Sequence, residues 1–92
     1  MTSRAVTVMN ALGMHARAAA RFVHAATAYQ SQIRVARDAQ VVDGKSIMGL
    51  LLLAAARGTT LVISAEGPDE AQAVAALCQL VESDMGEAPC SG

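Results

Sequence analysis

Apolar and polar residues alternate with a period of two in three separate stretches. Val6 and Val8 flank Thr7, Ile33 and Val35 alternate with Arg34 and Ala36, and Leu61, Ile63 and Ala65 alternate with Val62, Ser64 and Glu66. That period marks a strand with one buried face. A short return strand over 40–43 follows a turn at Asp38-Ala39. Elsewhere the period lengthens. Ala19, Phe22, Val23 and Ala26 fall at i, i+3, i+4 and i+7, which predicts a helix from Ala16 to about Tyr29 with Arg17, Arg21 and His24 on its wet side. Ser46 is a good N-cap for a short helix from Ile47 to about Ala54, stopped by Gly58. In that helix Ile47, Leu50, Leu51 and Ala54 form the expected core stripe, leaving Met48, Leu52 and Ala55 outward. Gly67-Pro68 turns the chain, and Asp69 with Gln72 reads as a capping box for a last helix cored by Ala73, Val74, Leu77 and Val81. Residues after Gly86 read as a frayed tail.

The order is β-α-β-β-α-β-α, without an internal repeat or a linker. It predicts one domain spanning 1–92, with an ordered core of about 4–87. Strands with one wet face predict an antiparallel sheet covered by helices on one side, an α+β fold.

Composition sharpens this picture. Hydrophobic residues make up 53% of the chain, yet there is one Phe, one Tyr and no Trp, so the core must be aliphatic. The net charge of −1 argues against a basic nucleic-acid surface. Its distribution is uneven: residues 1–60 hold seven basic and two acidic side chains, whereas 61–92 hold six acidic and none basic. A basic region around His15 suits a phosphate or an acidic protein partner. Cys78 and Cys90 read as free thiols in a reducing cytoplasm. No secretory leader is read ahead of the first strand. The apolar run from Ile47 to Ala56 is ten residues long, against the ~20 a membrane-spanning helix needs.

His15 carries the chemistry. It lies between a strand's closing turn and an Ala-rich helix, where the first amides lack internal acceptors and the peptide dipoles place positive charge. A neutral imidazole is a nucleophile near neutral pH, and a phosphoryl group on it would meet ready donors. An exposed histidine serving as an indifferent cap is the competing view, and position alone favours it. Arg17 shifts the balance: a first-turn arginine opposes the dipole but suits phosphate oxygens. Arg21, one turn on, reads as surface or partner-contacting. His24 has no carboxylate or thiol at ligand spacing, so no metal site is read, and it is expected as a surface histidine near the phosphate site. Gly44-Lys45-Ser46 lacks the upstream glycine of a P-loop, since Ala39 occupies that position. Exposed Met48 and Leu52, ringed by Lys45 and Arg57, mark a protein-binding surface.

Gly13-Met14-His15-Ala16-Arg17, Lys45-Ser46-Ile47-Met48-Gly49-Leu50 and Gly67-Pro68-Asp69-Glu70-Ala71 together resemble the HPr family. Its members are the histidine phosphocarriers of the bacterial phosphoenolpyruvate-dependent phosphotransferase system. The likeness runs from Val6 to about Glu87. It implies an open-faced β-sandwich, a four-stranded antiparallel sheet with three helices on one face. It implies a cytoplasmic, monomeric carrier rather than an enzyme, without cofactor. His15 would accept a phosphoryl group on Nδ1 from Enzyme I and pass it to A-type transfer domains. Arg17 would stabilise the phosphate, and the backbone N–H groups of Ala16 and Arg17 would cap it. Arg21, Lys45, Ile47, Met48 and Leu52 would meet partners. Ser46 matches a regulatory serine that a kinase modifies, and a phosphorylase would restore, in some members. The family pattern has proline after the arginine, where this chain has Ala18. The alternative reading is a regulatory interaction module of a nitrogen-type branch, signalling through its phosphorylation state. Nucleotide binding at Gly44-Lys45-Ser46 is the third.

Overall fold

The computed structural model describes residues 1–83; the expected frayed tail, Cys90 and the end of the expected ordered core lie outside them. Seven elements follow one another: β1 (Thr2–Thr7), α1 (Ala16–Thr27), β2 (Gln32–Arg37), β3 (Gln40–Asp43), α2 (Ile47–Leu52), β4 (Thr60–Glu66) and α3 (Glu70–Glu82). The strands form one antiparallel sheet in the order β1-β4-β2-β3. The order of elements, the sheet and its helical cover are those the sequence predicts.

Register explains which residues meet. Val6 pairs with Leu61, while Val35 pairs with Ile63 on one side and Val42 on the other. These side chains point toward the helices, because alternate residues of a strand face one way. Against them pack Ala18, Ala19, Phe22 and Ala26 of α1, Leu50 of α2, and Ala73, Val74, Leu77, Cys78 and Val81 of α3, all buried. The opposite face of the sheet carries exposed Ala5, Val62 and Arg34. It is α3 that lies closest to the sheet, over β1 and β4, while α1 packs beside α2 and α3 and sends its one large side chain, Phe22, into the common core. Ala18 is fully buried and helical, so α1 starts normally without the proline of the family pattern. Burial raises the Cys78 thiol above its ordinary range, the inert state of a core cysteine.

Three local expectations fail. The first strand begins at Thr2 and ends at Thr7; Val8 lies beyond it yet is fully buried, because its amide donates to Thr59 O (2.9 Å) and its carbonyl accepts from Gly58 N–H (2.8 Å). The first helix closes at Thr27, two residues early, and Val23 in its stripe is only half-buried. The second helix closes at Leu52 instead of near Ala54. Leu53 and Ala55 are buried there, whereas Ile47 is 40% exposed and Ala54 lies outside with φ +51°. The cause is long-range: Arg37 Nη1 donates to the carbonyls of Leu53 (2.6 Å) and Ala54 (3.0 Å). A guanidinium at a helix C-terminus satisfies the orphan carbonyls and suits the dipole.

Asp69 is the N-cap of α3 but makes no side-chain cap bond, so the expected capping box does not form. Its carboxylate turns to the β2 side and accepts from Ser31 Oγ–H, Gln30 N–H (2.9 Å) and Ser31 N–H (3.0 Å). The adjacent Glu70 accepts from Gly67 N–H (3.3 Å) and from Thr2 Oγ1–H (2.7 Å). The Ser31 hydroxyl, followed by the Gln30 amide, holds the Asp69 carboxyl below its ordinary 3.8. A depressed native pKa gives stability that is present above the unfolded value and lost as pH falls through the native one. Asp69→Asn is therefore expected to melt below the parent at neutral pH, with the gap closing as pH drops below 3.8. Thermal melts of both proteins between pH 7 and pH ~2 check this against the reference range of carboxylates; a gap of constant size would refute it.

Candidate functional site: a histidine at the mouth of the first helix

The loop before α1 is built around Gly13. Gly13 N–H donates to Asn10 O (3.1 Å), and Asn10 Nδ2–H returns a bond to Gly13 O (2.6 Å). Gly13 adopts φ +67°, and a Cβ there would sit 2.4 Å from Ala55 O and 2.9 Å from Ala56 Cα. Only glycine provides both that backbone conformation and that approach. The next amide, Met14 N–H, donates to Ala55 O (2.8 Å), and the Met14 side chain is buried as the loop's anchor. The chain is thus tied to the segment after α2 immediately before it reaches His15.

His15 is the N-cap of α1, in extended backbone (φ −84°, ψ 179°). Its amide donates to Gly13 O (3.0 Å) and its carbonyl accepts from Ala19 N–H (2.8 Å). Its half-buried side chain makes no cap bond. The amides of Ala16, Arg17 and Ala18 have no acceptor within the helix, as in any first turn. The first turn of α1 also contains no acidic residue. The positive end of a twelve-residue helix is thus left without a carboxylate, beside an imidazole. An anion carried on that ring would gain both the dipole and the amide donors, worth ~0.3–1 kcal/mol for the dipole alone at an exposed helix end.

Arg17 and Arg21 are exposed on α1, as their spacing predicts. His24 is not beside His15: it occupies the last turn of α1, nine residues on and therefore ~13 Å along the axis. The short second helix packs beside α1 and exposes Met48 (70%) and Leu52 (66%), the outward pair the pattern predicts, while Ala55 of that set is buried. Ile47, expected in the core, joins the exposed residues, and Leu12 in the loop before His15 is open as well.

Lys45 reaches back across the helix layer, its Nζ donating to Tyr29 O (2.8 Å). The amides of Gly44, Lys45 and Ser46 donate to Ile33 O, Asp43 Oδ1 and Asp43 O, respectively. A segment whose amides are all used internally cannot cradle phosphates, which removes the nucleotide reading. Ser46 caps α2 as expected, accepting from Gly49 N–H (3.1 Å). Ser46→Ala is expected to cost ~1 kcal/mol, the usual loss for a cap; urea unfolding measures it. Among the described residues, no three His, Cys, Asp or Glu side chains converge as a metal site, and no helix is long and apolar enough to cross a membrane.

The sequence model of the family described as the PTS HPr component phosphorylation site matches residues 2–83. The chain belongs to the HPr family. It is 46% identical over 88 residues to the phosphocarrier protein HPr of Pseudomonas aeruginosa, covering 95% of this chain and 98% of that protein. The HPr structure from Thermoanaerobacter tengcongensis superposes with a TM-score of 0.91 at 43% identity, covering 97% of this chain and all of that one. A second structure from the same organism, described as an HPr dimer, gives 0.74 at 44% identity, over 95% of this chain and 100% of that one. An HPr-family protein is a phosphocarrier component of the phosphotransferase system, a carrier and not an enzyme. The four-stranded sheet with three helices on one face is the HPr architecture.

Sequence reasoning missed the supports of the histidine, namely Asn10, Met14 and Ala55. The loop at Gly13 was readable from the turn that closes the first strand, although its positive φ was not. Its contact with Ala55, forty-two residues away, was not readable.

Proposed function

We propose that His15 is the phosphoryl-accepting residue, receiving the group from Enzyme I and passing it to A-type transfer domains. The observation that carries this is the position of His15 as the N-cap at the positive end of α1, with no first-turn carboxylate to compete. A new P–N bond forms on Nδ1 as the donor's bond to phosphorus breaks, and the reverse exchange hands the group on. Such transfer needs positioning and charge stabilisation more than covalent machinery. Arg17 supplies a guanidinium for the phosphoryl oxygens, and the N–H groups of Ala16 and Arg17 supply neutral donors. An open site holds the group loosely enough to release it.

Arg21, Lys45, Ile47, Met48 and Leu52 form the proposed partner surface, with the adaptable Met48 at its most exposed point. Phosphorylation of Ser46 by a serine kinase, reversed by a phosphorylase, would place up to about −2 charge beside that surface. The protein acts in the cytoplasm as a monomer. A role as a nitrogen-branch signalling module rests on the same exposed Met48–Leu52 surface. It requires binding that survives His15→Ala and fails in Met48→Glu.

The direct test is incubation with phosphoenolpyruvate and Enzyme I. The expected result is a mass increase of one phosphoryl group that is acid-labile and base-stable, present in the parent and absent in His15→Ala. A label retained in His15→Ala would sink the assignment.

A further inference from the structure

Arg37 ends β2 and lies outside the partner surface, yet it grips the backbone on which the histidine loop rests. One nitrogen of its guanidinium binds two successive carbonyls, Leu53 O at 2.6 Å and Ala54 O at 3.0 Å. Between these carbonyls lies Ala54 at φ +51°, a conformation that residues with a Cβ rarely adopt. Once Ala54 O is fixed, so is the peptide plane joining Ala54 to Ala55. Only the two backbone dihedrals of Ala55 then separate that plane from Ala55 O, the acceptor of Met14 N–H (2.8 Å). Met14 N–H shares a peptide plane with Gly13 O, which accepts from His15 N–H (3.0 Å) and Asn10 Nδ2–H (2.6 Å). An unbroken series of fixed planes therefore runs from Arg37 through Ala54, Ala55 and Gly13 to the backbone of His15.

We propose that Arg37 is a positioning residue for phosphoryl transfer, holding Ala54 left-handed so that Ala55 can lock the His15 loop. The inference rests on the phosphocarrier reading of His15 and adds a residue to it. Charge-assisted bonds to two carbonyls are the interaction best suited to hold a disfavoured backbone conformation. Without them, Ala54 relaxes toward negative φ, Ala55 O swings, and the Met14 bond loosens. The histidine then samples orientations in which its ring no longer faces the donor's phosphorus.

The test uses the full chain with Arg37→Met, which keeps the length of the side chain and removes its donors. Val81→Ala serves as a control that weakens the core from α3. Amide exchange at Met14 is read against the Ile63 amide of the same protein, so that global stability cancels. In Arg37→Met the Met14 amide is expected to exchange about tenfold faster relative to Ile63, the factor for one lost bond to a charged group. The ratio should not move in Val81→Ala. The rate of phosphoryl acceptance from Enzyme I should fall by a similar factor at unchanged KM for Enzyme I. Should Arg37→Met not fold, Arg37→Lys carries the same comparison with a smaller shift. Exchange or transfer that merely follows the control overturns the inference. If the parent takes up no phosphoryl group, the phosphocarrier reading falls, and the exchange ratio alone decides whether Arg37 holds the loop.

Discussion

Phe22→Ala is expected to remove roughly 3–5 kcal/mol of stability, the loss typical of truncating a buried aromatic ring. Phe22 is fully buried, and it is the only phenylalanine of the chain. Its neighbours on α1 are Ala18, Ala19 and Ala26, which cannot extend into the space the ring would vacate. Ile33, Val35, Leu61 and Ile63 of the same core are held in strands paired on both sides. A domain of this size has about 5–15 kcal/mol in total, so the variant should sit near the edge of folding at 25 °C. Urea unfolding followed by circular dichroism checks this through the midpoint. Phe22→Leu should recover more than half of the loss, since it refills most of the cavity. A midpoint unchanged in Phe22→Ala would mean that α1 and the sheet close over the gap, contrary to the packing described.

Gly13→Ala is expected to cost about 2–3 kcal/mol and to impair phosphoryl acceptance as well. Left-handed backbone costs a residue with a Cβ ~1–2 kcal/mol. The new methyl would also meet Ala55 O at 2.4 Å, so one of two backbone segments must move. That movement breaks the Met14–Ala55 bond, adding ~1 kcal/mol for a hydrogen bond. Gly58→Ala separates the two effects. Gly58 has φ +91°, but nothing lies within 4 Å of its added Cβ. It should therefore lose only the conformational part and leave acceptance at the parental rate. Equal losses in the two variants, in stability and in transfer alike, would show that the close approach at Gly13 is unimportant.

The sequence revealed most where one face of an element is wet. The strands over 32–37 and 60–66 were readable because buried and more exposed positions alternate over most of their length, as at Leu61, Val62 and Ile63. The cap at Ser46 was readable because its acceptor role is satisfied three residues away, within the same turn. The helix-mouth position of His15 was readable too, since it directly precedes an alanine-rich stripe at helical spacing. The misreadings of α2 and Asp69 share a different origin. The apolar run from Leu50 to Ala56 contains no stop signal of its own, and the helix ends where Arg37 on another strand binds its carbonyls. Asp69 has the right local pattern for a capping box, but Ser31, just before the neighbouring strand β2, offers a better set of donors. His24 is a different kind of misreading: it shares the wet side of α1 with Arg17, but nine residues of helical rise already separate it from His15. At the end of α2 and at Asp69, a contact distant in sequence outweighed a local preference.

The sulfur of Cys78 gives the fold a silent reporter. It faces the sheet from α3, and its proton is held firmly by the dry surroundings. In a protein whose Cys90 is serine, an alkylating reagent can reach that sulfur only while the helical layer has lifted from the strands. The pace of alkylation therefore counts those rare separations, and it can be followed before and after incubation with a phosphoryl donor without any dye attached to the proposed partner surface.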